Sequence, residues 1–218
     1  MKTKTTRTEG SRYYPKRYDF DPAVRDAILD EGLVCQVAFQ YEGQPFILPT
    51  SYCRAGDTLY LHGSVGSHFF MKMASSIPVC VNVTLLDGLV LARSVFHHSM
   101  NFRSVVAFGV TRLVESEEER WLAAERFVEH VMPGRWADAR RPDASDMKKT
   151  MFIAVKIEEA SVKFRAHGVI DDPEDLDLPV WAGVLPLRLV PSEPVPDQAG
   201  RKDVPLPAYV LERFAKKA

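Results

Sequence analysis

Two short segments carry most of the residues that could do chemistry, and the first is Leu61–His68. Its two glycines would let backbone N–H groups approach an anion closely, and the helix predicted to follow would add a favourable dipole. Ser64 and Ser67 add hydroxyl donors, and His68 adds a positive charge when it is protonated. A phosphate could bind here; the alternative is a plain strand-to-helix turn with Ser67 as its N-cap.

The second segment, Phe96–Ser104, places two imidazoles, a guanidinium, an amide and two hydroxyls at the entrance to an apolar strand. Strand alternation predicts one face with Ser99, Asn101 and Arg103, and another with His98, Met100, Phe102 and Ser104. A guanidinium within a sheet needs a negative partner, because an unpaired buried charge is costly. Arg103 therefore predicts either a bidentate phosphate contact or a structural pair with a carboxylate.

Metal and hydrolase chemistry are weaker interpretations. His62, His97 and His98 could form a three-histidine site, but two of them are adjacent and would point to opposite faces of a strand. The chain has no His-x-His or Glu-x-x-His spacing, so we expect no metal centre. It also lacks the Gly-x-Ser-x-Gly elbow of a serine hydrolase.

Composition points to a soluble cytoplasmic protein. The 218 residues carry a formal net charge of −1, which gives no general attraction to nucleic acid or to an acidic membrane. Three scattered cysteines (Cys35, Cys53 and Cys80) lie in apolar runs and predict buried free thiols in a reducing compartment. No apolar stretch reaches the ~20 residues that a membrane span needs, and the N-terminus shows no signal peptide.

The elements that must position these segments are mainly strands. We expect a helix from Pro22, capped by Asp21 and ended by Gly32. Two further helices are predicted over Phe69–Ala74 and Glu115–Val131, and residues 143–149 add a short one. The predicted strands are Leu33–Phe39, Phe46–Cys53, Thr58–His62, Val79–Leu85 (before a turn at Asp87-Gly88), Asn101–Val114 (with a bulge at Gly109) and Met151–Arg165.

Six strands broken by helices predict a mainly β, α+β antiparallel barrel, since no β-α-β rhythm supports a parallel sheet. Residues 1–18 predict a flexible N-terminal arm, residues 19–187 the barrel domain, and residues 188–218 a Pro-rich C-terminal extension. Trp181, beside Gly183, could lie flat on a planar ring or could serve packing alone.

Four segments in this order resemble the pyridoxamine 5′-phosphate oxidase-like superfamily, in its flavin-nucleotide-binding and nitroimidazole-resistance branch. They are Leu48–Tyr52, Leu59–Ser67, Pro78–Cys80 and His97–Gly109, and the resemblance spans about residues 20–187. It implies a six-stranded split β-barrel with flanking helices, an FMN-binding split barrel. It also implies a homodimer with FMN in clefts between the subunits.

The same resemblance implies the cofactor-binding residues. Pro49, Thr50, Ser51 and Tyr52 would lie along the isoalloxazine; His62, Gly63, Ser64, Ser67 and His68 would hold the ribityl chain and phosphate. Ser99, Asn101, Arg103 and Ser104 would close the pocket, and Trp181 would reach the flavin. Relatives commonly carry Arg or Lys at the positions of His68 and Phe69, so here the phosphate cation would be His68, Arg103 or a partner-chain residue.

We therefore expect an FMN-dependent oxidoreductase acting on a small aromatic or nitro compound, with His62 as the group that donates a hydrogen bond or proton. The alternative is a non-catalytic FMN- or haem-binding module for storage, sensing or detoxification. In that case His62, His97 or His98 could ligate the iron.

Overall fold

The computed structural model describes residues 7–9, 15–201 and 203–215, so most of the predicted N-terminal arm lies outside the described residues. Nine strands and six helices alternate along the described chain. The strands are β1 Tyr18–Asp19, β2 Val34–Tyr41, β3 Gln44–Ala55, β4 Thr58–Ser64, β5 Pro78–Leu91, β6 Ser99–Leu113, β7 Thr150–Lys156, β8 Glu159–Arg165 and β9 Gly183–Pro186. The helices are α1 Pro22–Glu31, α2 His68–Met73, α3 Glu117–Val131, α4 Arg135–Asp138, α5 Ala144–Lys149 and α6 Ala208–Ala215.

Six of the strands close a ring. The sheet runs β1-β8-β6-β7-β4-β3-β2-β5-β9, and an additional β5–β6 pairing joins its two arms. All the strand pairs are antiparallel. The predicted six-stranded split barrel with flanking helices is therefore confirmed, with β1, β8 and β9 as strands added outside the ring.

Alternation along the ring strands builds the core. Inward side chains such as Val37, Leu61, Val81 and Val105 are buried, and Ile28 and Leu29 of α1 complete the same cluster. As predicted, α1 begins after Asp21, whose carboxylate accepts the Ala23 N–H at 2.9 Å. A second cluster lies outside the ring, where α3 covers Cys53, Tyr60 and Phe152.

Gly109 marks the split in the barrel. Strand β6 pairs with β8 through Phe108 and with β7 from Thr111, so its partner changes around Gly109. A Cβ at Gly109 would lie 2.2 Å from the backbone oxygen of Lys156. The predicted bulge at this position is wrong, because Gly109 pairs directly with Val79. Glycine is needed here for the close approach of a second backbone.

Two predicted boundaries on strands are wrong. Strand β5 does not end before Asp87-Gly88 but continues to Leu91, with a register shift between Leu86 and Gly88. Pairing with both β6 and β9 holds this extension together, so the turn-forming pair becomes a bulge. The predicted last strand, Met151–Arg165, is two strands, and the loop segment containing Gly183 forms β9.

The C-terminal part of the chain returns to the helical side. The hydroxyl of Tyr209 in α6 donates to Asp138 Oδ2 at 2.6 Å and accepts from Arg135 Nη1 at 3.0 Å. None of the helices among the described residues is long and apolar enough to cross a membrane.

Candidate functional site

The predicted site residues fall into two groups on the sheet. The β3–β4 group is Pro49, Thr50, Ser51, Tyr52, His62, Gly63, Ser64, Ser67 and His68; the β6 group is Ser99, Asn101, Arg103 and Ser104. Within the β3–β4 group, β3 pairs directly with β4, and Tyr52 lies opposite Leu61. The structure therefore brings the predicted isoalloxazine strand and the predicted phosphate loop together.

It does not bring the two groups together within one chain. From Pro49 the register runs across Gln36 and Asn82 to Val106, which is three strand spacings or about 14 Å. Ser99 lies seven residues farther along β6, about 23 Å. A ligand that contacts both groups must therefore bridge a long path on one subunit or lie between two subunits.

The predicted anion loop uses several of its own donors. Ser64 Oγ accepts the Gly66 N–H at 3.2 Å, and the Ser64 carbonyl accepts the Ser67 N–H at 2.9 Å. The Val65 N–H donates to the carbonyl of Lys149 at 3.1 Å. Ser67 is the N-cap residue of α2, but its side chain makes no capping bond. Its hydroxyl is therefore available to a ligand, as is the O–H of Ser64, whose oxygen only accepts in the bond to Gly66.

His68 lies exposed beside an aromatic and cationic cluster. Its ring is edge-on to those of Tyr41 and Phe69, at centroid distances of 6.0 and 5.9 Å. Lys72 Nζ lies 4.2 Å from the centroid of Tyr41. The structure thus places a second cation, which sequence reasoning missed, on the same side as His68. A Lys four residues after His68, within the predicted helix, was the available signal.

His62 is half-buried between the sheet and α3. Its ring lies 4.0 Å from that of Phe127 in a T-shaped contact and 6.3 Å from that of Phe152. Nδ1 is buried and has no hydrogen-bond partner among the described residues. Burial lowers the pKa of His62 below its ordinary value of 6.5. At neutral pH the imidazole is therefore neutral, which suits a hydrogen bond better than proton donation.

Two members of the β3–β4 group serve the core. Tyr52 is fully buried, and its hydroxyl donates to the Leu29 carbonyl at 2.5 Å. Its side chain is therefore packed away from any ligand, and only its backbone could contact a flavin. Gly63 is required by packing, because a Cβ there would lie 2.5 Å from the ring of Phe70.

Arg103 has carboxylate partners. Its guanidinium donates to Asp87 at 2.9 and 2.8 Å and to Glu31 at 2.6 and 3.0 Å. These two carboxylates raise its pKa. The alternative of a structural Arg–carboxylate pair is thus present, and the three side chains sum to a charge of −1. A phosphate contact of Arg103 stays a prediction, and one that this local charge disfavours.

Asn101 and Ser104 are also engaged. Arg165, only 3% exposed, donates through Nη1 to Asn101 Oδ1 at 2.5 Å and to the His167 carbonyl at 2.9 Å. Burial lowers the pKa of this arginine. Ser104 Oγ donates to the Lys163 carbonyl at 3.1 Å. Sequence reasoning missed Arg165; an arginine at the end of an alternating strand was the only signal.

A rigid turn precedes β6. Residues Val95–His97 form a 3-10 turn, in which Ser94 Oγ accepts the Phe96 N–H at 3.3 Å. His97 Nε2 lies 3.0 Å from Asp172 Oδ2, and the Ser94 carbonyl lies 3.1 Å from His98 Nδ1. The hydrogen bond to Asp172 raises the pKa of His97. The two adjacent histidines therefore differ, since one is paired with a carboxylate and the other with a carbonyl.

Trp181 lies with the β6 group. It immediately precedes β9, which pairs with the far end of β5 through Gly183↔Leu91. The indole is 68% exposed and packs over Gly183, where a Cβ would lie 2.8 Å from the ring. The structure thus separates Trp181 from the β3–β4 group by the width of β5 and β2.

Buried free thiols were predicted from the sequence, and a metal centre was not expected. Cys35 and Cys53 are buried, and burial raises the pKa of each to about 12; Cys80 is half-buried. Among the described residues, no group of three His, Cys, Asp or Glu side chains could hold a metal ion. Haem needs no such group of three side chains, because the porphyrin holds the iron and the protein adds only axial ligands.

The profile of one family, described as pyridoxamine 5′-phosphate oxidase, matches residues 21–164. The chain belongs to the pyridoxamine 5′-phosphate oxidase family. The match ends before Arg165, β9 and α6. It therefore covers the barrel and both groups of site residues, but it does not reach Trp181. Comparison with curated proteins gave no match.

Two solved structures in the comparison extend over nearly all of this pyridoxamine 5′-phosphate oxidase family member. The flavocytochrome Anf3 from Azotobacter vinelandii is 36% identical, covers 95% of this chain and 96% of its own, and has a TM-score of 0.87. The FAD and haem binding protein from Mycobacterium smegmatis is 30% identical, covers 91% and 97%, and has a TM-score of 0.86. A nitroimidazole antibiotic resistance protein from Bacteroides thetaiotaomicron is 20% identical over 67% of this chain, with a TM-score of 0.55, a likeness in fold alone.

Proposed function

We propose that this protein is a homodimeric flavocytochrome-type oxidoreductase, which binds a flavin nucleotide and haem. The observation that carries the proposal is the extent of the likeness. The two relatives named for haem match 95% and 91% of this chain, beyond the family barrel at residues 21–164. The nitroimidazole resistance protein matches only 67%. The large share of the chain that they match beyond the family barrel thus favours a flavin-and-haem protein over a nitro-compound reductase.

The β3–β4 group fits a flavin nucleotide. Pro49 is exposed and offers an apolar surface, and Ser51 and Ser67 are half-exposed hydroxyl donors. His62 offers a buried ring nitrogen that has no hydrogen-bond partner among the described residues. Lys72 would supply a cation for the phosphate and His68 a ring N–H, in place of Arg103, whose charge is already matched by carboxylates. The bound flavin would carry electrons, and these residues would orient it and hydrogen-bond to it.

The identity of the flavin belongs to the proposal. The sequence predicts FMN, whereas the relative from Mycobacterium smegmatis is named for FAD. We propose FAD, since that relative matches 91% of this chain. Reduction of a small aromatic or nitro compound, also predicted from the sequence, has no support in the 20% likeness to the nitroimidazole resistance protein.

A dimer would complete the site. One subunit presents β3 three strand spacings away from its own β6 and from β9, which follows Trp181. A two-fold axis would place the β6 group and Trp181 of one subunit against the β3–β4 group of its partner. Exposed apolar side chains on these elements, Ile47 and Leu185 among them, would be covered by the same contact.

Cofactor extraction from the purified protein tests the composition. We expect haem and FAD in the denatured supernatant, identified by chromatography and mass, together with a haem Soret band in the folded protein. If the supernatant contains FMN and no haem, the protein is the FMN-dependent oxidoreductase expected from the sequence, and the flavocytochrome proposal is rejected. A colourless protein that takes up neither flavin nor haem on reconstitution would reject both.

Heterodimers test the shared site. Ser64→Glu, which places a negative charge in the predicted phosphate loop, and Trp181→Glu would each abolish flavin binding as homodimers. Both positions are exposed, so the fold should persist. In a heterodimer of the two variants, a site shared between subunits leaves one of two sites intact, and half of the flavin returns. A site confined to one chain leaves both sites broken, and no flavin returns.

A further inference from the structure

The turn that precedes β6 presents apolar side chains to solvent. Val95 and Phe96 are 87% and 85% exposed, and Met100 on the first residues of β6 is 53% exposed. Burying these side chains against a ligand would be favourable, and the isolated chain leaves them in water. Contiguous apolar exposure of this kind marks a binding surface.

The same turn is rigidly held rather than loose. Asp171 accepts the Arg93 N–H at 3.0 Å and pairs with the Arg93 guanidinium at 2.9 Å. Ser94 and Asp172 fix the next three residues through the bonds to Phe96 and His97. The exposed apolar side chains are therefore held in a fixed arrangement, as a preorganised ligand site requires.

The three histidines that the sequence offers to iron differ in this structure. His62 is wedged against Phe127 at 4.0 Å, and none of the described residues hydrogen-bonds to its buried Nδ1 to orient the ring. His97 has its Nε2 occupied by Asp172 Oδ2 at 3.0 Å, so this nitrogen is not free to ligate iron.

His98 has the geometry of a metal ligand. Its Nδ1 faces the Ser94 carbonyl at 3.1 Å, so the proton belongs on Nδ1 and the lone pair on Nε2. Nε2 has no hydrogen-bond partner in the part of the chain that the structure describes. The side chain is exposed, and His98 stands between the turn that carries Val95 and Phe96 and the strand that carries Met100.

We propose that His98 Nε2 is the axial haem ligand of this protein, with Val95, Phe96 and Met100 as apolar contacts of the porphyrin. The inference rests on the proposed flavocytochrome function and assigns its iron ligand. Two other exposed histidines are less suited. No hydrogen bond among the described residues orients His68, which lies in the β3–β4 group, and His167 borders the buried cation Arg165.

The test replaces the ligand and restores it. Purified full-length wild type, His98→Gly and the control His68→Ala are compared for haem content, Soret position and electron paramagnetic resonance signal. We expect His98→Gly to lose its haem and to regain a wild-type-like spectrum with added haem and imidazole. The control His68→Ala should keep its haem content, its Soret position and its electron paramagnetic resonance signal, although its flavin content should fall. Flavin content, read by the flavin released on denaturation, should persist in His98→Gly.

Three results would overturn the assignment. If His98→Gly retains haem with an unchanged spectrum, His98 is not the iron ligand, and the proposed flavocytochrome function is unaffected. Loss of haem in His68→Ala, with no loss in His98→Gly, transfers the role to His68. Wild type that binds no haem, even on reconstitution, rejects the proposed function together with the ligand. Circular dichroism of His98→Gly distinguishes loss of the ligand from loss of the fold. If His98→Gly does not fold, His98→Cys decides the case, because a cysteine ligand would shift the Soret band rather than abolish it.

Discussion

His62 connects pH to stability through its burial between the sheet and α3. Because burial lowers its pKa in the folded state, the unfolded chain takes up a proton first as the pH falls below about 6.5. Stability should therefore be fully present above that pH and be lost as the pH falls. Urea unfolding at pH 7.5 and 5.5 should show wild type losing about 1 kcal/mol more than His62→Leu. Equal losses of unfolding free energy in the two proteins would mean that burial does not lower the pKa of His62.

Arg103 binds α1 to β5, and we expect its removal to act on stability. Arg103→Ala should lower the free energy of unfolding by about 1–2 kcal/mol, since the guanidinium bridges Glu31 and Asp87 in a partly exposed network. The control Arg112→Ala, which loses a more exposed pair with Glu119, should cost less. Affinities for FMN and for riboflavin should fall by the same factor. A loss confined to FMN would identify Arg103 as a phosphate ligand instead.

Single residues show where sequence reasoning reaches its limit. The N-cap of Asp21 and the buried Cys35 follow from local rules, and the sequence predicts both. Carboxylate partners for Arg103 come from α1 and from a bulge in β5, 72 and 16 positions away, and no local pattern identifies them. Tyr52 follows the polar run Thr50-Ser51, yet its hydroxyl caps the end of α1 inside the core.

At the scale of elements, Gly109 tests the split of the barrel. Gly109→Ala should destabilise the protein by about 2–4 kcal/mol, because the new Cβ would collide with a backbone oxygen that cannot move alone. Gly168→Ala is the matched control, since a Cβ there meets nothing within 4 Å, and it should change stability by less than about 0.5 kcal/mol. Thermal unfolding of both variants makes the comparison. Equal melting temperatures would mean that β6 and β7 separate more easily than their packing implies.

The elements themselves could be predicted to the extent that their periodicity is local. The helix starts at Asp21 and Ser116 follow from capping residues, and the meander β2–β4 follows from alternation and short turns. The extension of β5 through Asp87-Gly88 could not be predicted from the sequence, because pairing with β6 and β9 overrides a turn-forming dipeptide. Strand β9 has four residues in a Pro-rich stretch, and only its pairing with β5 makes it a strand.

The whole molecule is where the candidate site becomes complete. Each chain holds β3 apart from β6 and β9 by the width of β2 and β5, and β4 reaches β6 only through β7, whose pairing with β6 lies at Thr111–Leu113, beyond the β6 group. We therefore expect two subunits to form one flavin-and-haem site. The order of the site segments could be predicted from the resemblance to the family. The haem could be predicted only as an alternative, because its support lies in relatives that match the C-terminal region as well.

Native mass spectrometry of the protein as purified is the most direct test of this account. We expect a dimer of about twice the 24.6 kDa chain mass that carries two flavin nucleotides and two haem groups. Dissociation in the gas phase should release both kinds of cofactor and yield cofactor-free single chains. A monomer that retains a full complement of flavin and haem would contradict the shared site, and a dimer that carries neither cofactor would contradict the proposed function.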